Sequence, residues 1–303
     1  SLVAFSHTIF AMPFAMIGFA LGAMHAPGPV YQGNLTGWKR EFLQQTTWLS
    51  MAITFALVVL CMIFARSAAM AFNRYLDKNF DALNARTAIR EIPSGIISAN
   101  NALLFTLLNA VLFIFCSWLI NDLCFLLSPV ALFVILGYSY TKRFTPLCHL
   151  VLGLGLSLAP IGAYIAVTGE FALLPILFSF AVIFWVSGFD IIYALQDEEF
   201  DKEHRLYSIP AALGKKNALR VSSLLHFLSA ACVLAAWIYG GFGLLYGLGA
   251  LAFCGMLVYQ HAIVKPTDIS RVNRAFMTAN GVASVVFAVL VIADIFMARF
   301  FSF

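Results

Sequence analysis

The chain has 303 residues, of which 62% are hydrophobic and 11% charged, and its mean hydropathy is +0.92. A soluble domain carries about a quarter charged residues, so a water-soluble enzyme or binding module is excluded. The net charge of +4 follows from where the basic residues sit and implies no nucleic-acid partner.

Continuous apolar runs about 20 residues long predict membrane-spanning helices rather than the alternating strands of an outer-membrane barrel. Nine are expected, over 4–24, 46–73, 99–119, 123–140, 147–167, 171–193, 217–238, 241–261 and 276–298. The first run, from Phe5 to Met24, lacks a basic flank and a small-residue cleavage site. It therefore reads as a retained helix rather than a signal peptide. Of the 18 Lys and Arg, 14 fall in the links after the second, fourth, sixth and eighth helices, whereas Lys39, Arg40 and Arg299 fall on the other side. The positive-inside rule makes the charged links cytoplasmic, with the N-terminus inside. The six cysteines (Cys61, Cys116, Cys124, Cys148, Cys232 and Cys254) are scattered in or beside apolar runs without a C-x2-C pair. They read as small buried hydrophobes, not as a zinc, haem or disulfide framework.

Acidic residues are scarce, 14 in all, yet they gather at two places. Asn73, Asp77 and Asp81 form an N-x3-D-x3-D pattern, and Asp190, Asp197 and Asp201 form a D-x6-D-x3-D pattern. At 100° per residue, Asn73, Asp77 and Asp81 rise along one helical stripe. Arg66 precedes Asn73 by seven residues and falls within about 20° of the same face. Arg66 is too deep in its run to be a surface residue and must face a polar interior. Asp190 and Asp197 share a helical face by the same count, and Asp197 and Asp201 are one turn apart. Glu198, Glu199 and Glu203 point elsewhere and serve solvation. Asp190 lies within an apolar run without a basic neighbour in sequence. It reads either as a substrate-contacting acid or as a buried acid bonded to a neighbouring helix.

Clustered carboxylates repel one another unless cations hold them, which points to Mg²⁺ and a polyphosphate substrate. Arg86 and Arg90 follow the first cluster, Tyr138, Lys142 and Arg143 end the fourth helix, and Lys202 follows the second cluster. These groups supply the complementary charge for phosphate. Asp77 and Asp197 are 120 positions apart, as are Asp81 and Asp201. The expected architecture is therefore two parallel four-helix repeats plus one helix, with Asp77 and Asp197 facing each other across a central cavity.

The set of motifs resembles the UbiA superfamily of intramembrane prenyltransferases over nearly the whole chain. The residues that carry it are Asn73, Asp77, Asp81, Asn84, Arg86, Thr87, Arg90, Pro93 and Gly95. Tyr138-x3-Lys142 adds to them, as does the run Tyr193, Asp197, Asp201, Lys202, Ser208 and Pro210. The resemblance implies an all-α integral membrane fold in a single domain over 1–303, with cytoplasmic cap loops over 78–98 and 198–215. It implies that Asn73, Asp77, Asp81, Asp197 and Asp201 hold Mg²⁺, as two ions, and the diphosphate. Arg66, Arg86, Arg90, Tyr138, Lys142 and Lys202 would contact the diphosphate, and Arg143, Asp190 and Tyr193 the acceptor. The opening from Phe5 through His7 to Pro13 is similar to bacterial 4-hydroxybenzoate polyprenyltransferase-like members, including a branch associated with menaquinone synthesis through futalosine. His7 taken alone reads as a helix-packing residue.

The implied reaction is Mg²⁺-dependent transfer of a prenyl group from an allylic diphosphate to an aromatic acceptor such as 4-hydroxybenzoate, at the inner membrane of a bacterium. Haem and ether-lipid acceptors belong to the same superfamily. A secondary transporter would explain the helices and the deep Arg66 and Asp190. It would not explain carboxylates at helix ends beside phosphate-binding cations. The D-G-x2-A-R signature of CDP-alcohol phosphatidyltransferases is absent.

Overall fold

The computed structural model describes residues 10–25 and 47–301. His7, Lys39 and Arg40 lie outside the described residues. The helices are α1 (Met12–His25), α2 (Thr47–Leu83), α3 (Ala99–Ile120), α4 (Asp122–Thr141), α5 (Cys148–Thr168) and α6 (Leu173–Ala194). A 3₁₀ turn over Leu195–Asp197 leads into the short α7 (Glu198–Glu203), then α8 (Ile209–Gly240) and α9 (Leu244–Ile263). A π-helical turn over Arg274–Ala279 opens α10 (Asn280–Phe301). Among the described residues, 8 helices are long and apolar enough to cross a membrane, and Met12–His25 is a shorter apolar helix. The only bridge among them is the isolated pair Lys265–Asp268. The protein is an all-α, multi-pass integral membrane protein.

Two boundaries differ from expectation where charge had hidden the helix. α2 ends at Leu83 rather than at 73. At 1.5 Å per residue its 37 residues span roughly 55 Å, well beyond a hydrocarbon core of about 30 Å. The acidic stripe therefore rides on a continuous helix and not in a loop. α8 begins at Ile209 rather than at 217, capped by Ser208, whose Oγ accepts from Ala211 N at 3.3 Å. Gly214, at φ 74°, breaks the helical path inside α8, a backbone state that only glycine adopts without strain. The expected cap loops 78–98 and 198–215 therefore contain the end of α2, all of α7 and about the first two turns of α8.

The described chain packs as two compact units, residues 47–140 and residues 10–25 with 141–301. α1 belongs to the second unit, where it packs on α5 and α10. In the first unit α2 lies along α3. Asn121 joins α3 to α4 by closing the last turn of α3 and accepting from Cys124 N at 2.8 Å. In the second unit α6 packs between α5 and α8. Its core is aromatic, with Trp185, Phe14, Phe178, Tyr246, Phe253 and Phe287 fully buried. Trp185 Nε1 donates to Asn280 Oδ1 at 2.8 Å, and Asn280 Nδ2 reaches the carbonyls of Ala275 and Phe276 in the π-turn.

Serines join α6 to its neighbours, since Ser222 and Ser229 of α8 donate to Gly188 O and Ala181 O at 2.7 and 2.8 Å. At the α8–α9 turn, Asp294 of α10 accepts from the backbone N–H of Gly243, Leu245 and Tyr246 at 2.7, 3.1 and 3.3 Å. This intramembrane acid caps the start of α9, where the helix dipole favours a negative charge. Asp294→Leu leaves three donors without an acceptor and should destabilise the fold by on the order of 3 kcal/mol. Asp294→Asn, which keeps one acceptor oxygen, should fall between. Thermal unfolding of the purified variants in detergent checks this, and a wild-type melting temperature for the leucine variant would remove the capping role.

Candidate active site

The first acidic cluster is built by the end of α2 and the turns that follow. Asn73 Nδ2 donates to Asp77 Oδ2 at 3.0 Å, so the two side chains share a helix face as the four-residue spacing requires. Asp81, one turn on, is 5% exposed. Arg90 Nη1 meets its Oδ1 at 2.6 Å. The chain after Leu83 folds back to allow this. Arg86 N bonds Asn84 Oδ1, Thr87 N bonds Asn84 O, Thr87 Oγ1 bonds Asp81 O and Arg90 N bonds Thr87 O, all within 2.9–3.1 Å. The turns thus set Arg90 beside the carboxylate nine residues earlier. Asp81 Oδ2 is buried and has no hydrogen-bond partner among the described residues.

Arg66 is half-buried on the same helix, and Tyr138 of α4 lies within electrostatic reach of both Arg66 and Arg74. Arg74 was not anticipated as a site residue. Its Nη1 is buried without a hydrogen-bond partner among the described residues. Its signal in the sequence was its place beside Asn73, which also suits an ordinary ion-pair partner. Lys78 instead sits over the Tyr75 ring, 4.8 Å from its centroid. Arg86 is exposed in the turns.

The second cluster belongs to the other unit. The 3₁₀ turn over Leu195–Asp197 advances about 120° per residue instead of 100°. The regular helical face expected for Asp190 and Asp197 is therefore broken. Asp197 is 9% exposed and Asp201 is fully buried. Lys142 Nζ lies 2.7 Å from Asp201 Oδ1, an ion pair. Ser208 Oγ donates to Asp201 Oδ2 at 2.8 Å. Burial pulls the Lys142 ammonium toward its neutral form, but the Asp201 charge and contact outweigh it, and its pKa lies above the ordinary lysine value. Lys142 is a cation at every physiological pH. Two backbone bonds close the arrangement, Tyr207 N to Lys142 O at 2.7 Å and Leu206 N to Asp201 O at 2.8 Å. Arg143 follows Lys142 and is half-buried.

Two sequence readings need correction here, and Asp190 meets one of the alternatives left open for it. Lys202 pairs with Glu198 at 2.6 Å and its side chain is 52% exposed, so its charge is turned to that neighbour. Glu198 is 8% exposed rather than solvated. Asp190, which has no basic neighbour in sequence, has one in space, with His149 Nδ1 of α5 2.7 Å from its Oδ2. Nothing in the local sequence marks His149, which lies 41 residues away. Tyr193 stacks on Phe276 with ring centroids 4.2 Å apart, beside Phe10 and Phe189.

Among the described residues no three His, Cys, Asp or Glu side chains converge into a ready metal cage. That arrangement still suits Mg²⁺, which takes one or two protein carboxylates and completes its octahedron with water and phosphate oxygens. Asp81, with a buried unpartnered oxygen, fits such a ligand well. Asp201 fits less directly, since Lys142 and Ser208 engage both of its oxygens.

The UbiA prenyltransferase family model matches residues 11–282. A 4-hydroxybenzoate octaprenyltransferase of Nitrosospira multiformis is 31% identical over 235 residues, covering 77% of this chain and 80% of the relative. Among solved structures, the apo structure of a UbiA homolog from Aeropyrum pernix K1 is similar with a TM-score of 0.77 at 28% identity, covering 98% of this chain and 99% of that one. A UbiA homolog from Archaeoglobus fulgidus bound to DMAPP and Mg²⁺ shares the fold with a TM-score of 0.68 at 19% identity, covering 95% of each chain. With the match running from α1 into α10 and taking in both carboxylate clusters, the chain belongs to the UbiA prenyltransferase family and is a membrane-embedded prenyltransferase.

Proposed function

We propose that this prenyltransferase moves a polyprenyl group from an allylic diphosphate to the ring of an aromatic acid of the 4-hydroxybenzoate type, in quinone synthesis. The observation that carries the reading is the buried Asp81 oxygen left unpartnered beside Arg90 and Arg74, a place for a cation with arginines at hand for phosphate. The names of the curated relatives support the acceptor class. A prenylated precursor of the futalosine route is the alternative acceptor. The distribution of Lys and Arg supports a cytoplasmic mouth in a bacterial inner membrane, and the extent of the family match supports one domain of this type over 1–303.

In this reading Asn73, Asp77, Asp81, Asp197 and Asp201 hold Mg²⁺, as two ions. Mg²⁺ bound there would neutralise the charge that grows on the departing diphosphate. Arg66, Arg90, Tyr138 and Lys142 orient the phosphate oxygens, and Lys142 arrives already charged. Apolar helices exclude water from the allylic cation until the ring attacks it. Membranes incubated with labelled prenyl diphosphate and a panel of aromatic acceptors, with the product identified by mass, test the reaction. Product that forms without Mg²⁺, or no prenylated aromatic at all, would overturn the proposal.

Asp77→Ala and Asp197→Ala should each abolish turnover while the purified protein stays folded, because each change removes a ligand at a helix end and little packing. Near-native activity of either variant with Mg²⁺ would defeat the metal assignment. Arg66→Leu should insert normally yet lose activity by on the order of 10²–10³, since a positioned cation on a charged leaving group is worth several kcal/mol. Arg66→Lys should recover part of it, as an ammonium lacks the planar fork. Kinetics across prenyl-diphosphate concentrations decide the point, and unchanged constants for the leucine variant would make Arg66 a packing residue.

A further inference from the structure

The geometry points to His149 as a positioning residue that holds the Asp190 carboxylate for the acceptor half of the reaction. This inference rests on the function proposed above. Asp190 and His149 exchange the usual places of such a pair. The imidazole is the buried member, 3% exposed, and the carboxylate is the outer one, 23% exposed. His149 is held at both ring nitrogens. Its Nδ1 lies 2.7 Å from Asp190 Oδ2, and its Nε2 accepts from the backbone N–H of Ile209 at 3.3 Å. A backbone N–H can only donate, so Nε2 must carry a lone pair and the ring proton sits on Nδ1, directed at Asp190. In this arrangement the imidazole acts as a neutral donor, which favours the charged form of the carboxylate it meets less strongly than a cation would.

Packing fixes this pair further. The backbone oxygen of His149 accepts from Ser187 Oγ at 3.1 Å. One turn along α5, a Cβ on Gly153 would stand 2.5 Å from that Oγ and 2.6 Å from Ile183 O, so the two helices are in close contact there. His149 and Gly153 thus form one face of α5, and Ile183, Ser187 and Asp190 the facing row of α6. Asp190 Oδ2 is taken by His149, and its Oδ1 has no hydrogen-bond partner among the described residues.

That oxygen is the one the reaction can use. Attack by the acceptor ring forms a carbon–carbon bond to the prenyl group while the allylic carbon–oxygen bond breaks and diphosphate leaves with its electron pair. The attacked ring carbon must then lose its proton for the ring to regain aromaticity. Asp190 Oδ1 accepts this proton and passes it to water. His149 holds the carboxylate in place for the step and is itself held by Ile209 at its other nitrogen. The role belongs to the acceptor side, so Mg²⁺-dependent binding of the prenyl diphosphate should be indifferent to it.

The test compares wild-type protein with His149→Leu, His149→Gln, Asp190→Asn and the double variant His149→Leu/Asp190→Asn, all full length in detergent. Asp190→Asn should lower kcat by about 10²–10⁴, and His149→Leu by roughly 10–100-fold. In His149→Leu the KM for the acceptor should shift and that for the prenyl diphosphate should not. His149→Gln, whose amide N–H can reach Oδ2, should restore most of the loss. The double variant should be no worse than Asp190→Asn alone, since the histidine acts through the aspartate. Wild-type kinetics in His149→Leu, a shift in the prenyl-diphosphate KM, or equal losses in the Gln and Leu variants would overturn the inference. The ¹⁵N spectrum of wild-type His149 gives a reading that needs no variant. A proton on Nδ1 and a lone pair on Nε2 support the assignment, and a proton on Nε2 overturns it. Calorimetry of prenyl-diphosphate binding without acceptor separates the two levels. Absence of Mg²⁺-dependent binding in wild type removes the proposed function and this inference with it, whereas normal binding with unaltered turnover in His149→Leu removes the inference alone.

Discussion

A carboxylate kept from water must have a countercharge or donors, and the polar ends of this protein are shaped by that requirement. Asp81 and Asp201, the last acid of each cluster, are buried, and each meets a cation brought from outside its own helix. For Asp81 the cation is Arg90, returned by the turns after α2. For Asp201 it is Lys142, from the residue after α4, and the link after α7 closes on the same place through Leu206, Tyr207 and Ser208. An isolated buried charge would cost several kcal/mol. The polar links are thus tied to buried acids, which keeps cations beside carboxylates without a dedicated cage.

The membrane-spanning part solves the complementary problem. Lipid offers no hydrophobic drive to press helix on helix, so close approach and local hydrogen bonds must do it. Ser187, Ser222 and Ser229 supply the bonds, Gly153 the approach, and Asn280 a bridge between Trp185 and carbonyls of the π-turn. This rigid frame around α6 is what lets one helix present Asp190 and, past a 3₁₀ turn, Asp197 in defined places.

Composition and apolar run length made the helical membrane class legible, and periodicity of four placed Asn73 beside Asp77. Helix ends were less legible wherever charge and helix coincide. α2 continues through Asp77 and Asp81 because Leu, Lys and Ala are good helix formers whatever their polarity. α8 starts early because Ser208 and Pro210 make a strong N-terminus that a hydropathy window overlooks. Long-range partners were not legible at all. His149 lies 41 residues before Asp190, and Asp294 lies 48 to 51 residues beyond the amides it caps. The 3₁₀ turn at 195–197 was hidden for another reason. Leu195 and Gln196 are ordinary helix residues, and the tightening follows from packing that no local pattern encodes.

The second unit shows how one residue type is given two tasks. Asp201 is fully buried against an ammonium and a hydroxyl, with neither oxygen left for a proton. Asp190 sits partly exposed against an imidazole that holds one of its oxygens. An ammonium competes with a metal ion for a carboxylate and can be exchanged for it, since both bring positive charge. A neutral donor brings none, so it steadies the carboxylate and lowers its basicity less than an ammonium does. Environments that differ in this way separate acids by role in one enzyme. Asp201 and Asp190 thus meet different partners, and a division of role between them would follow from those partners and not from the aspartates themselves.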